Sequence, residues 1–492
     1  MGIVINQSIR ASIFSYLGVV IGYVNVLWLY PFFLEANEIG LFRIIQSSAY
    51  LLATFGQFGM GATFVKFFPQ YKKEKGFLPL ALLISTVGYL LLLSICLVFE
   101  SSIAGYFSKE SPFFVEYFQV SLLITYLIIL FQLLEAYCRS ILDIRMPTIL
   151  RDIGLRGLTM AFVLLYGFQL ISFNALVWSF AMSFLLVAAY LLFYVLFIKK
   201  AKIAFNFTFL TRPGLKEMMT FGAFALLGAG GTQIILQIDS IMVSGLLGLD
   251  ETGIYTIAFF IGTVIELPRR AIAQLSMSLL AENFKKNDME AVKKLYQQTS
   301  INQLFIGALL LLGIWANLKN VYAFVPNGEL YQQGFYVVLF IGLGKLSDMF
   351  FGANGEIIVM SKHYRFNVLA VFILALLTIV LNTLLIPSLG IEGAALASLL
   401  AMFSFNLLKY VFVWVKLGLQ PFTIKTLIAW FIIGLVYFGQ LWLPSFDNAL
   451  IDLVIRSLSI SVVYFSLMYI FNVSPEVNQL IKNGLSRIKT MK

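Results

Sequence analysis

The stretch NEIGLFRI (37–44) returns 213 residues later as DETGIYTI (250–257). At the same offset QYKKEKG (70–76) lies over NFKKNDM (283–289). Further on, NALVWSFAM (174–182) lies over AALASLLAM (394–402) at an offset of 220, which also sets Arg145 over Arg365. Apolar runs align with one another on composition alone. The Glu-Gly and Lys-Lys matches, however, fall in connections between apolar runs, where composition does not force them. Self-similarity at a long period is a fold-level signal. The repeating unit holds about six helices, and an even number brings the second copy back in the orientation of the first. Such parallel repeats are related by a pseudo-two-fold axis along the membrane normal.

The membrane enters through composition. Of 492 residues, 60% are hydrophobic and 12% charged, whereas soluble chains carry roughly 25% charged residues. That difference excludes an ordinary soluble enzyme and a disordered chain. With ~20 apolar residues per crossing, fourteen apolar spans emerge, at 9–33, 40–65, 77–99, 113–137, 148–168, 171–197, 217–247, 252–276, 299–323, 334–360, 365–386, 391–415, 422–443 and 449–471. The amino-terminal MGIVINQSIR reads as the start of a first helix rather than a cleaved signal.

The net charge of +10 is topological, because the basic residues gather in alternate connections. One set comprises 66–76, 138–156, 199–216, 269–294, 361–365, Lys409, Lys416 and Lys425, together with Arg10 and a tail of Lys482, Arg487, Lys489 and Lys492. This set holds 29 of the 34 basic residues, so both termini are expected in the cytoplasm. The remaining five are Arg43, Lys109, Lys319, Lys345 and Arg456.

Several chemistries are excluded by counting. Cys96 and Cys138 lie in or beside apolar runs and cannot build a disulfide framework or metal cluster. A single histidine, His363, in the basic loop SKHYR, rules out a His-based metal site or catalytic dyad and reads as a solvated interfacial residue. The chain has neither a P-loop nor a Gly-x-Ser-x-Gly elbow. A membrane polymerase or ligase of glycans would need a large outer loop, and the outer connections here reach only about 15–18 residues, little room for catalytic machinery.

The fourteen helices, as six plus six plus two, resemble the multidrug/oligosaccharidyl-lipid/polysaccharide exporter superfamily, and within it the polysaccharide-biosynthesis branch of O-antigen and exopolysaccharide repeat-unit flippases. The likeness is carried by GLF (40–42), FFPQYKKEKG (67–76), QIDSIMVSG (237–245) with GIYTIA (253–258), and LNTLLIPSLGIEGAALAS (381–398). It implies an all-α polytopic membrane protein: two parallel six-helix lobes (1–200 and 201–416), two C-terminal helices with a cytoplasmic tail (417–492), a V-shaped central cavity and alternating access. It also implies a substrate, undecaprenyl-pyrophosphate-linked oligosaccharide, at the bacterial inner membrane. Partners would be membrane lipids and a glycan polymerase of the same pathway, with no nucleic acid. An ion-coupled multidrug exporter and a lipid II flippase remain open alternatives.

A lipid-linked sugar can leave its tail in the bilayer, but its pyrophosphate and hydroxyls must cross hydrocarbon. Uncompensated charge there is costly, so intramembrane ionic groups are read as functional by default. Arg43 offers a bidentate fork for phosphate; its alternative is an interfacial arginine that snorkels or pairs with Glu38. Lys345 and Asp348 stand at i,i+3, where they can pair with one another or serve phosphate and a proton respectively. Asp239, preceded by Gln233 and Gln237, is the first choice for ion coupling, with H+ or Na+ the only cofactor in view. Its alternative is a helix-contact hydrogen bond. Glu266, Pro268, Arg269 and Arg270 mark a break in the eighth helix, read as a gate or a plain terminus, with Glu266 able to reach Arg270. Glu356 is a weaker candidate. Asn25, Gln46 and Gln57, with Ser47, Ser48, Asn382 and Asn406, would line the cavity for sugar hydroxyls or join helices.

Overall fold

A computed structural model describes residues 14–479. Arg10 and the basic tail residues, and with them both termini, lie outside those residues. All regular structure among the described residues is helical. A helical stretch lies over each predicted span. Among the described residues, nine helices are long and apolar enough to cross a membrane, or ten if the bent pair Gly328–Phe350 and Asn354–Met360, at 48°, forms one span. That count takes the run from Arg365 to Leu417 once, although it joins two helices across a kink at Gly390, and it leaves out shorter and broken helices.

The difference lies in broken and short helices. The second predicted span divides into Ala36–Gly56 and Met60–Tyr71, because Phe58 and Gly59 both take left-handed backbone (φ 53° and 68°). The eighth divides into Leu249–Thr263 and Leu267–Lys285 around a tight 3-10 turn, Val264–Glu266, with Pro268 in the first turn of the new helix. Proline is tolerated there because the N–H it lacks would have no intrahelical partner anyway. The PSLGIE connection (387–392) is a tight one: two helices, one starting at Tyr364 and one ending at Leu417, join across a kink at Gly390 (φ 58°, ψ −140°), a conformation open to glycine and strained for other residues. The basic segment 138–156 is also mostly helical. Arg145–Ile149, a π-turn Leu150–Gly154 and Leu155–Gly167 follow without interruption, so Arg151 and Arg156 stand inside a helix.

By packing, the chain forms two compact units, one ending at Thr256 and one beginning at Ile257. The core of the first gathers Phe64, Phe77, Leu133, Leu134, Leu191 and Met218. In the second, the helices Ile424–Gln440 and Ala449–Ile470 pack on Met289–Ala316 through Ile432, Tyr464 and Phe305, and the Tyr464 hydroxyl donates to the Phe305 carbonyl at 2.9 Å.

Within the first unit the repeated motifs touch. A Cβ placed on Gly40 would sit 2.0 Å from the Leu249 carbonyl oxygen, and one on Gly253 would sit 2.0 Å from the Ala36 carbonyl oxygen. Residues 36 and 249 are themselves equivalent at the offset of 213, as are 40 and 253. The contact is thus reciprocal, each copy presenting the same two positions to the other, as a two-fold relation requires. Only hydrogen at Cα permits it. Gly40→Ala or Gly253→Ala should therefore cost about 1–3 kcal/mol as overpacking against backbone. Gly434→Ala, with nothing within 4 Å, should be neutral. Melting temperatures of the three full-length variants in one detergent would distinguish these outcomes, with a fall of several degrees expected for the first two only.

Candidate functional site

In the second unit two helix interruptions meet. One is the turn Val264–Glu266. The other is the break after Phe335–Phe350, where Gly352 takes φ 63° before Asn354–Met360 begins. Irregular backbone at membrane depth is tolerated where it is enclosed by protein or lines a cavity. Ionic side chains collect around these breaks. Lys345 Nζ lies 2.6 Å from Glu266 Oε2, and Arg269 Nε lies 2.8 Å from Asp348 Oδ2 and its Nη2 3.7 Å from Glu356 Oε1. Arg270 Nε reaches Glu266 at 3.8 Å, but its side chain is 65% exposed, so that pair contributes little.

Lys345 and Asp348 therefore do not pair with one another. Both stand on one helix, and each turns instead to the Glu266–Arg270 segment across from it. A buried ion pair needs good geometry on both partners, and the residues across the break supply it at 2.6 and 2.8 Å. Lys409, placed by sequence in a basic connection, is buried (4% exposed) within the helix ending at Leu417. Its Nζ sits 4.0 Å from the centroid of the Phe405 ring and makes no ion pair with a described residue, although the charges of Asp348, Arg269 and Glu356 act on it. Nearby, the Asn354 side-chain amide donates to the Asn406 carbonyl at 3.3 Å. Glu356 Oε2 is buried without a hydrogen-bond partner among the described residues. The result is a sheltered set of three cations (Arg269, Lys345, Lys409) and three carboxylates (Glu266, Asp348, Glu356) with one cation outside any ion pair.

In the first unit, Arg43 and Asp239 come together. Arg43 Nε donates to Ser240 Oγ at 2.9 Å, and the Tyr255 hydroxyl donates to Asp239 Oδ2 at 3.1 Å. The Arg43 and Asp239 charges act on each other. Glu38 is occupied elsewhere, accepting from the Glu35 amide at 3.0 Å and from the Tyr166 hydroxyl at 3.1 Å. Arg43 and Asp239, read from sequence as a substrate-binding and an ion-coupling candidate, thus share one sheltered site with Ser240 and Tyr255, which the sequence did not single out.

A third polar set joins the first helix to the Arg145–Gly167 stretch. Arg151 pairs with Glu135 at 2.6 Å and Asp152 at 3.0 Å, and the Ser15 hydroxyl donates to Asp152 at 2.6 Å. Arg156 donates to the Gly18 carbonyl, and the Asn25 amide donates to the Arg156 carbonyl at 2.9 Å. Asn25 therefore joins helices. Gln57 is buried beside Gly61, and Gln46 is half-buried on the Ala36–Gly56 helix. His363 is half-buried, with its ring edge-on to Phe412 at 5.7 Å rather than solvated.

Three solved structures share this fold. The lipid II flippase MurJ in an inward closed conformation matches with a TM-score of 0.77 and 16% identity over 94% of this chain and 98% of its own. A multidrug resistance MATE family transporter, inward-facing, matches at 0.64 and 13% identity over 82% and 94%. A superfamily transporter from Pyrococcus furiosus, whose binding pocket is described as reversed in polarity, matches at 0.55 and 11% over 85% and 95%. No curated protein sequence matches. The apolar helices and these likenesses define a multi-pass membrane protein with the flippase and transporter fold of the multidrug/oligosaccharidyl-lipid/polysaccharide exporter superfamily. The sequence model for polysaccharide biosynthesis proteins matches residues 7–277, more than half of the chain, and the chain belongs to that family.

The ionic set makes a prediction of its own. Lys345→Met leaves the half-buried Glu266 with only the exposed Arg270 at 3.8 Å, and the loss should fall below the roughly 3–5 kcal/mol of a fully buried broken pair. Adding Glu266→Leu removes the orphaned charge and should restore most of the loss. Thermal unfolding of the two single variants and the double variant gives the coupling, and additive losses would show that the pair does not act as a unit.

Proposed function

We propose that this protein moves undecaprenyl-pyrophosphate-linked oligosaccharide repeat units from the cytoplasmic to the outer leaflet of the bacterial inner membrane. In this reading the chain crosses fourteen times, keeps both termini in the cytoplasm, and alternates access through its two six-helix repeats. The observation that carries the proposal is the set of three sheltered cations at two helix breaks, in a chain of the polysaccharide biosynthesis family. Discontinuous helices are where membrane transporters hold ions and charged substrate groups.

The chemistry runs as an exchange of anions. At rest Glu266, Asp348 and Glu356 compensate Lys345 and Arg269. The pyrophosphate enters toward Lys409, which has no ion pair to break, and then competes with the carboxylates for Lys345 and the planar fork of Arg269. Protonation of a displaced carboxylate, Asp348 or Glu356, would couple the exchange to H+. Arg43, Asp239 and Tyr255 serve as a second polar station or as a closing contact. The apolar tail stays in the bilayer. Outward movement of an anionic head runs with an inside-negative potential, which contributes about 2.3 kcal/mol per charge per 100 mV.

A lipid II flippase is the second reading, favoured by the similarity to MurJ along nearly the full length of both chains. Both substrates present a polyprenyl pyrophosphate, so the ionic set serves either, and the sugar separates them. Proteoliposomes with a clamped potential and fluorescent lipid-linked oligosaccharide, lipid II or a cationic dye would decide. Transport of the oligosaccharide is expected, with at least a tenfold loss in Lys409→Gln and Arg269→Gln. Asp239→Asn should keep transport at full potential if the potential alone biases the cycle. Preference for the dye would remove the flippase reading.

A further inference from the structure

The basic connection 199–211 does more than link helices. It runs without regular secondary structure from the end of Phe173–Ile198 and meets the loop between Tyr71 and Phe77. The Ala204 amide donates to the Lys75 carbonyl at 3.1 Å, and a Cβ on Gly76 would lie 2.2 Å from the Asn206 carbonyl oxygen, so the two loops are in backbone contact. Between them lies a cavity of about 410 Å3. Its floor is aromatic, with Phe64, Phe68, Tyr71, Phe77 and Tyr137. Its rim carries Lys72, Lys73, Lys75, Lys200 and Lys202 against one carboxylate, Glu74. None of these lysines forms an ion pair with a described residue. The neighbouring Lys199 differs, because it is held by Asp143 at 2.5 Å.

Two features set this rim apart from an ordinary solvated charge run. Lys200 adopts left-handed backbone (φ 53°) just after a helix end, a position where glycine is usual, so a lysine is kept there at the expense of strain. Phe197, Ile198, Ile203 and Phe205 flank the lysines and are exposed, Phe205 at 79%. Apolar side chains beside cationic ones on one exposed segment suit the boundary between hydrocarbon and headgroups. The second repeat lacks the arrangement. At the offset of 213, Lys72 and Lys73 are matched by Lys285 and Lys286, but Lys75 is matched by Asp288, which caps the next helix through the Ala291 amide.

We propose that this cavity is a binding site for the phosphate headgroup of an anionic phospholipid, with the lysines around the phosphodiester and the aromatic floor beneath its glycerol and upper acyl carbons. Lipid is favoured over a soluble anion by the exposed apolar flank. Each lysine near a membrane surface adds attraction for anionic lipid, screened beyond a Debye length.

Native mass spectrometry of the full-length protein, offered phosphatidylglycerol or phosphatidylcholine with the same chains, tests the site. Wild type is expected to retain phosphatidylglycerol with a preference on the order of tenfold. The variant K73Q/K75Q/K200Q/K202Q should fall to parity, whereas the same four positions as arginine, and the control K285Q/K286Q, should keep the preference. If the glutamine variant melts lower than wild type, K75Q/K202Q alone carries the comparison. Parity in wild type, or a preference that survives the glutamine changes, overturns the proposal. So does full displacement of the lipid by millimolar inorganic phosphate, which would make the cavity a site for free anions. Transport is not the readout, so the outcome is independent of the substrate proposed above.

Discussion

A charge taken out of water among packed helices must be met by an opposite charge or by fixed dipoles, and this requirement shapes the polar interior. Three carboxylates and three cations of the second unit lie within one neighbourhood because none is tolerable there alone. The helix breaks follow the same logic. A turn such as Val264–Glu266 leaves backbone groups without intrahelical partners, and a polar neighbourhood is where such groups are cheapest to keep. Breaks and charges therefore favour one another, and their meeting at Glu266, Arg269, Lys345 and Asp348 is one physical event rather than two.

That arrangement also suits transport better than it suits stability. Hydrophobic residues of similar volume often hold a core at least as well as a buried ionic set. An ionic set has a different property: its members exchange partners. In the exchange proposed above, an anion that replaces Glu266 at Lys345 leaves the local charge balance nearly intact. Lys409, held by an aromatic face rather than a carboxylate, gives such an anion a first contact that requires no pair to be broken.

The sequence made the repeat legible because Glu38-Ile39-Gly40 and Glu251-Thr252-Gly253 lie at the polar edge of the apolar runs, where chance similarity is weak. The structure gives that match a cause: both glycines are required by one reciprocal backbone contact. Partner choice was not legible. Spacing at i,i+3 allows Lys345 and Asp348 to meet, but it does not say what lies across from them. Lys409, Arg151 and Arg156 were read as connection residues because charge was used to assign sides. The contrary signal was present, since the predicted spans 391–415 and 148–168 enclose them. Ser240 and Tyr255 carried no signal beyond their place beside Asp239 and within the repeated motif.

Symmetry of backbone and asymmetry of chemistry then separate cleanly. Each unit holds a carboxylate on a long helix against an arginine, Glu135 in the first and Asp348 in the second. In the first unit its counter-charge is Arg151, from the stretch that follows in sequence. In the second it is Arg269, from a helix start that precedes it. The second gathers cations around two breaks, and the first has the lysine-rimmed cavity. Within the first unit the repeated motifs meet through one reciprocal glycine contact. Differences in a few ionic residues around that shared pattern then give each unit its own polar chemistry.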